Sequence, residues 1–200
     1  MIEKWKSLLN QLEIIETPYG SEFWSQDGLE AFENEIRIFF PIGYKEFCQV
    51  FGTGCFGDFI TIFCPNLKFS NGCLEAIKEE IIRFPDPQHE KMMDRESLID
   101  LLDSAFVFGR EPSAISIFWD LRSYNKLDKS YDIYWANSDC FSGDIYKIGR
   151  DFYEFVSEFC LGTKSYEVLP KKEWRSQESL QKTFTRVRSN WDLLEIIEMP

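Results

Sequence analysis

Between residues 105 and 149, four strand-like runs follow one another: AFVFG (105–109), AISIFWD (114–120), YDIYWAN (131–137) and GDIYKIG (143–149). Aromatic and β-branched residues fill each run, and turn-type residues separate them. Chain-adjacent strands with short connections pair antiparallel, because a parallel return needs a crossover of a dozen residues or more. An antiparallel meander is therefore the frame that the remaining segments must cover.

Those segments carry a helical period. Trp5, Leu8, Leu9, Leu12 and Ile15 predict a helix over about 2–15, broken at Thr17-Pro18-Tyr19-Gly20. A second helix is expected from Asp27, read as its N-cap, with Glu30 at the capping-box position and Leu29, Phe32, Ile36 and Phe39 inward. Tyr44, Phe47, Cys48 and Phe51 are spaced as a short buried helix opened by Pro41. Further helices are expected over 71–84 and 95–103. The run RDFYEFVSEFCLG (150–162) closes the series, with Phe152, Phe155, Val156 and Phe159 inward and Gly162 as its stop. The fold class is α+β: a mostly antiparallel sheet of about five or six strands with helices packed on it.

Gly52, Gly54 and Gly57 read as G-x-G-x-x-G, the spacing of a dinucleotide fingerprint. That fingerprint requires a strand before the glycines and a helix opening after them. Here a helix precedes, and the strand-like DFITIFC (58–64) follows. The order is reversed, so these glycines turn the backbone, with Gly52 left-handed at the helix end.

The net charge of −12 argues against a nucleic-acid backbone or an anionic membrane as the main partner; it suits a cationic protein surface or, the plainer reading of charge alone, solubility. The N-terminal segment has no signal-peptide h-region, and no apolar run approaches bilayer length, so a cytoplasmic protein is expected. Six cysteines (Cys48, Cys55, Cys64, Cys73, Cys140, Cys160) form no C-x-x-C and are read as reduced core thiols. The single histidine, His89, lies in a polar Pro-rich connection and is read as solvated. No pair of carboxylates is singled out for acid–base work. Neither a catalytic set, a cofactor nor a metal site is expected.

From Lys164 the composition changes. Residues 164–190 hold seven basic and three acidic residues, while residues 1–163 hold 15 basic and 28 acidic, a net of −13. The expected organisation is a domain over 1–163 and a basic helical extension over 164–200. Trp174, Phe184, Val187 and Trp191 would dock that extension on the acidic body.

The tripeptide Asp-Ile-Tyr occurs twice, at 132–134 and 144–146. If Tyr134 pairs with Tyr146, both tyrosines share a face with Asp132 and Asp144, and Asp128 and Asp139 accompany them. A one-residue change of register sends the tyrosines to opposite faces. The plainer alternative is a helix-covered sheet with tyrosine hydroxyls at its margin.

The segment FFPIGYKEFCQVFGTGCFGDFITIF, with FVFG, IFWD and the closing RDFYEFVSEFCLG, resembles the SUKH superfamily of bacterial immunity proteins and yeast cell-wall-assembly regulators. The resemblance spans about 25–162, and Gly52-Thr53-Gly54 stands where the family turn often reads Asn-Gly-Gly. Pro41, Tyr44, Phe47, Gly52, Gly54, Trp119 and Asp120 are the matching positions, all read as scaffold. The resemblance implies no catalysis and, in bacteria, neutralisation of a polymorphic toxin by direct binding. The expected partner is a cognate toxin with a basic surface, such as a nuclease, bound by a monomer through Asp128, Asp132, Tyr134, Asp139, Asp144 and Tyr146. A regulatory scaffold of the yeast type and a carboxylate-dependent hydrolase are the alternatives.

Overall fold

The computed structural model describes residues 2–18, 20–83, 95–111, 115–137, 145–171, 174 and 182–188. Helix α1 (Ile2–Leu9) buries Trp5 and Leu8, then ends well before residue 15. Glu13–Glu16 instead forms strand β1, because a strand partner far along the chain takes its backbone groups. Helix α2 (Gln26–Ile36) is capped by Ser25, whose Oγ accepts from the Gly28 amide at 3.1 Å, so Asp27 sits inside the first turn rather than at the cap. Phe39 lies beyond this helix and is 63% exposed, contrary to its expected inward position.

Pro41 precedes α3 (Ile42–Val50), which buries Tyr44, Phe47 and Cys48 as its spacing requires. Buried Glu33 ties α2 to this helix, accepting from the Phe40 amide and from Lys45 Nζ. The glycine segment then yields two strands, β2 (Gly54–Phe56) and β3 (Ile60–Ile62), paired as a hairpin; the single strand expected over 58–64 is its second arm. Helices α4 (Leu67–Arg83) and α5 (Arg95–Asp103) follow. The meander is β4 (Ala105–Glu111), β5 (Ile115–Asn125), β6 (Ser130–Asn137) and β7 (Ile145–Gly149). Helix α6 (Phe152–Glu154) runs on as a π-helical turn over Phe155–Cys160, and α7 (Ser165–Val168) is a single turn. Phe152, Phe155, Val156 and Phe159 are all buried.

Among the described residues, eight strands form one sheet in the order β1-β8-β2-β3-β4-β5-β6-β7, where β8 is Thr183–Arg186. Every pairing is antiparallel except β1 with β8. Three strands exceed those named from the sequence: β2, from the glycine segment, and β1 and β8, both from segments whose residues suggested helix. The described tail is helical only at α7, and Phe184 is a correction: it lies in a strand inside the sheet, not on a helix docked outside it.

Alternation along the strands sorts side chains into two cores. Phe106, Phe108, Ile117, Trp119, Ile133 and Trp135 join Trp5, Tyr44, Phe47 and Phe152 on one face. Val107, Phe118, Ala136 and Ile145 join the apolar sides of α4 and α5 on the other. The first face is unusually aromatic. Trp119 stacks on Phe108 at 4.3 Å and receives the Tyr44 ring edge-on at 4.8 Å, an arrangement favoured by the ring quadrupoles.

Gly52 has φ +73, its amide donates to the Phe47 carbonyl, and a Cβ there would overlap the Glu22 carbonyl oxygen. Only glycine fits that backbone, as its place after a helix suggests. Gly54 is required for a different reason, close approach: a Cβ would stand 2.7 Å from the Thr185 carbonyl oxygen and inside the Phe184 ring.

Candidate functional site

The β6–β7 register decides the expected face. Trp135 lies opposite Tyr146, and Tyr134 lies opposite Lys147. Tyr134 and Tyr146 therefore point to opposite faces: Tyr146 packs on the aromatic core, and Tyr134 on the core beneath α4 and α5. The cause is hydrophobic. Ile145 and Ile148 are both buried, on opposite faces, and a register shift between Ile133 and Tyr134 accommodates Ile148 without displacing Trp135. The shared tyrosine face is corrected to a single-tyrosine face. Asp139, Asp144, His89 and Cys140 lie outside the described residues.

On the Tyr134 side, the phenol ring stacks on buried Phe118 with centroids 5.6 Å apart and planes 12° from parallel. Asp120 and Asp132 are directly opposed on β5 and β6, two residues along from that stack. Like charges side by side destabilise a sheet unless neutralised. Here Arg122 donates from its amide and its Nε to Asp120 Oδ1, at 3.0 and 2.9 Å. Asp132 receives Lys147 Nζ at 2.7 Å and Arg150 Nη1 at 2.8 Å. Arg150 also bonds Ser130 Oγ and the Ser123 carbonyl, pinning the β5–β6 hairpin to the end of β7. The carboxylate of Asp128 sits in the hairpin turn, accepting from the Ser130 amide and hydroxyl and from Asn125 Nδ2.

This patch is polar and internally compensated rather than strongly acidic. Two carboxylates meet three cations, so it does not itself supply the attraction expected of Asp132. Burial, and next the Asp132 charge, push the Tyr134 phenol above its ordinary value, which keeps its hydroxyl protonated and able to donate. The hydrogen bond to Asp120 holds Arg122 above the usual guanidinium range. With its amphipathic ring half-buried and its flanks salt-bridged, the patch is chemically suited to protein contact.

The positions that carry the resemblance lie on both sides of the sheet, Tyr44, Phe47 and Trp119 in the aromatic core and Asp120 on the Tyr134 side. Tyr44, Phe47 and Trp119 are fully buried, Asp120 is 9% exposed, and the Tyr44 hydroxyl donates to the Phe63 carbonyl at 2.7 Å. The five described cysteines are free thiols. Burial raises Cys48, Cys55 and Cys73, the opposite of the activation a nucleophilic thiolate needs. Among the described residues no helix is long and apolar enough to cross a membrane.

Sequence reasoning passed over Arg122, Lys147 and Arg150, the partners of the two opposed aspartates. It also passed over Leu127, which is 96% exposed at the tip of the β5–β6 hairpin. The signal for Lys147 was present in the alternation of β7, which places it beside Asp132 once the register is known. No family model, curated protein or solved structure matches this chain.

Proposed function

We propose that the chain is a non-enzymatic protein-binding module of the SUKH type, an immunity protein that neutralises a cognate toxin with a basic surface by direct binding. One observation carries the reading. Tyr44, Phe47 and Trp119, on which the resemblance rests, meet in the aromatic core: Pro41 opens α3, the Tyr44 ring lies 4.8 Å from Trp119, and Gly52 turns the chain at φ +73. A nuclease is the favoured toxin class, because its phosphate-binding cleft is basic and the net charge of this chain is −12.

Steering and contact fall to different groups in this proposal. The overall negative charge accelerates encounter, while the compensated Tyr134 patch and the Asp128 hairpin make the lasting contact. Tyrosine is a common anchor in such interfaces. The test is co-expression with basic toxin domains encoded beside this chain, followed by capture and toxin-protection assays. A 1:1 complex is expected, with an association rate that falls steeply as salt rises. Tyr134→Ala should abolish protection and Tyr146→Ala should leave it intact. Protection lost with Tyr146→Ala alone would move the contact to the other face, and capture of no toxin would overturn the function.

A further inference from the structure

We infer that β1 and β2 are the walls of a strand-binding cleft, and that residues 182–188 are its tethered ligand, a cationic extended peptide with phenylalanine two residues before arginine. The inference stands on the sheet alone and requires nothing of the toxin reading.

The segment Lys-Thr-Phe-Thr-Arg-Val-Arg meets the rest of the chain as a bound peptide meets a receptor. Its backbone is paired on both sides, parallel to β1 and antiparallel to β2. The ladder extends past the strand at both ends, with Glu13 N donating to Lys182 O at 2.9 Å and Val187 N to Thr53 O at 3.1 Å. Main-chain pairing of this kind supplies affinity, and alternate side-chain pockets supply selectivity.

Two pockets are built. Phe184 is fully buried, with the rings of Phe56 at 4.8 Å, Phe51 at 5.0 Å and Phe47 at 6.2 Å. Its place exists because Gly54 has no Cβ; an added one would stand 2.6 Å from Phe184 Cε1. Arg186 fills the second pocket. Its Nη1 donates to Glu16, its Nε donates to the Phe51 carbonyl at 3.3 Å, and its guanidinium lies 5.0 Å from the Phe23 ring centre.

The β2 wall is held without the ligand, and, among the described residues, the β1 wall is anchored only through the helix that leads into it. On its far side β2 is paired to β3, and α1, which leads into β1, is fixed to α3 by Trp5 rings 5.6 Å from Phe47 and 5.8 Å from Phe51. Charge complements the fit: the segment carries Lys182, Arg186 and Arg188 with no acid, while residues 1–163 carry −13 and β1 presents Glu13 and Glu16. The Arg186–Glu16 bond spans 170 residues of sequence, but α7 and buried Leu169 belong to the body, so the tether is only the stretch between residues 169 and 182. A tether raises local concentration to the millimolar range, which lets the chain's own segment outcompete free peptides of the same pattern.

The test uses the full chain with a specific protease recognition sequence replacing residues 175–180. After cleavage, the released segment is expected to remain bound through gel filtration. Excess fluorescent Lys182–Arg188 peptide should then displace it, while the uncut chain binds that peptide at least tenfold more weakly. A Phe184→Ala peptide should lose at least tenfold in affinity. An Arg186→Glu peptide should lose less, and its loss should shrink at high salt. Retention with no exchange over days would make the segment an ordinary structural strand and overturn the inference. So would unfolding of the body on cleavage, or equal binding of the Phe184→Ala peptide.

Discussion

Strands β4 to β7 pair with chain neighbours, whereas β1, β8 and β2 bring together residues 13–16, 183–186 and 54–56. The first group closes short loops and gains contacts as soon as each turn forms. The second must close loops spanning most of the chain before any hydrogen bond is made, an entropic cost that grows with separation. Two halves of one sheet are thus built on unequal terms. The meander is stabilised by a stacked aromatic face, and the other edge depends on one strand arriving from far away.

Substitutions can separate the halves. Trp119→Ala removes the ring that joins Phe106, Phe108 and Tyr44, and should cost about 3–5 kcal/mol and unfold the whole domain cooperatively. Phe184→Ala removes a ring of comparable burial, yet its loss should release mainly β1 and β8. Amide exchange should accelerate by at least tenfold there while β5 and β6 stay protected. Equal loss of protection in β5 would show that the two halves form one cooperative unit.

Gly52→Ala tests the joint between them. A left-handed backbone and the overlap with Glu22 O together should cost roughly 1–3 kcal/mol, read as a lowered urea midpoint at unchanged slope. Binding of the Lys182–Arg188 peptide to the nicked protein should weaken with it, since Thr53 bonds both Glu22 and Val187.

The smallest effect is acidic. Hydrogen bonds from Ser21, and then from Arg186, hold Glu16 below its ordinary value of 4.5. A depressed folded-state value means that its stabilisation is present above the unfolded value and is lost as pH falls through the lower one. Glu16 is exposed, so solvent screens most of the pair's strength. Exchange at β8 should therefore rise slightly faster than at β5 below about pH 4.5, and Glu16→Gln should remove that difference.

The meander was readable because its alternation is local: each of its strands and its closing helix follows from residues within reach of one another. α1 was overextended because Leu12 and Ile15 continue its spacing, and nothing nearby reveals that Glu13–Glu16 has a partner at residue 183. In the tail, Thr183, Phe184 and Thr185 do alternate, but the run is short and the basic charge around it equally suits a segment docked on the acidic surface. The tyrosine register was ambiguous for a similar reason. Repetition of Asp-Ile-Tyr favoured aligning the repeats, while burial of Ile145 and Ile148 on opposite faces fixed a different alignment. Pair choice across a sheet is a competition among burials, and a repeat is only one competitor.

The position of β8 also bears on how a ribosome delivers this chain. Residue 13 leaves the exit tunnel long before residue 183 is polymerised, so β1 spends most of translation without the strand that is its one neighbour among the described residues. During that interval Phe47, Phe51 and Phe56 lack the Phe184 ring that packs among them in the finished fold. A message cut short before codon 183 would leave them without it permanently. Its product would display a row of phenylalanines beside unpaired strand edges, the kind of surface that chaperones and proteases sort from finished molecules.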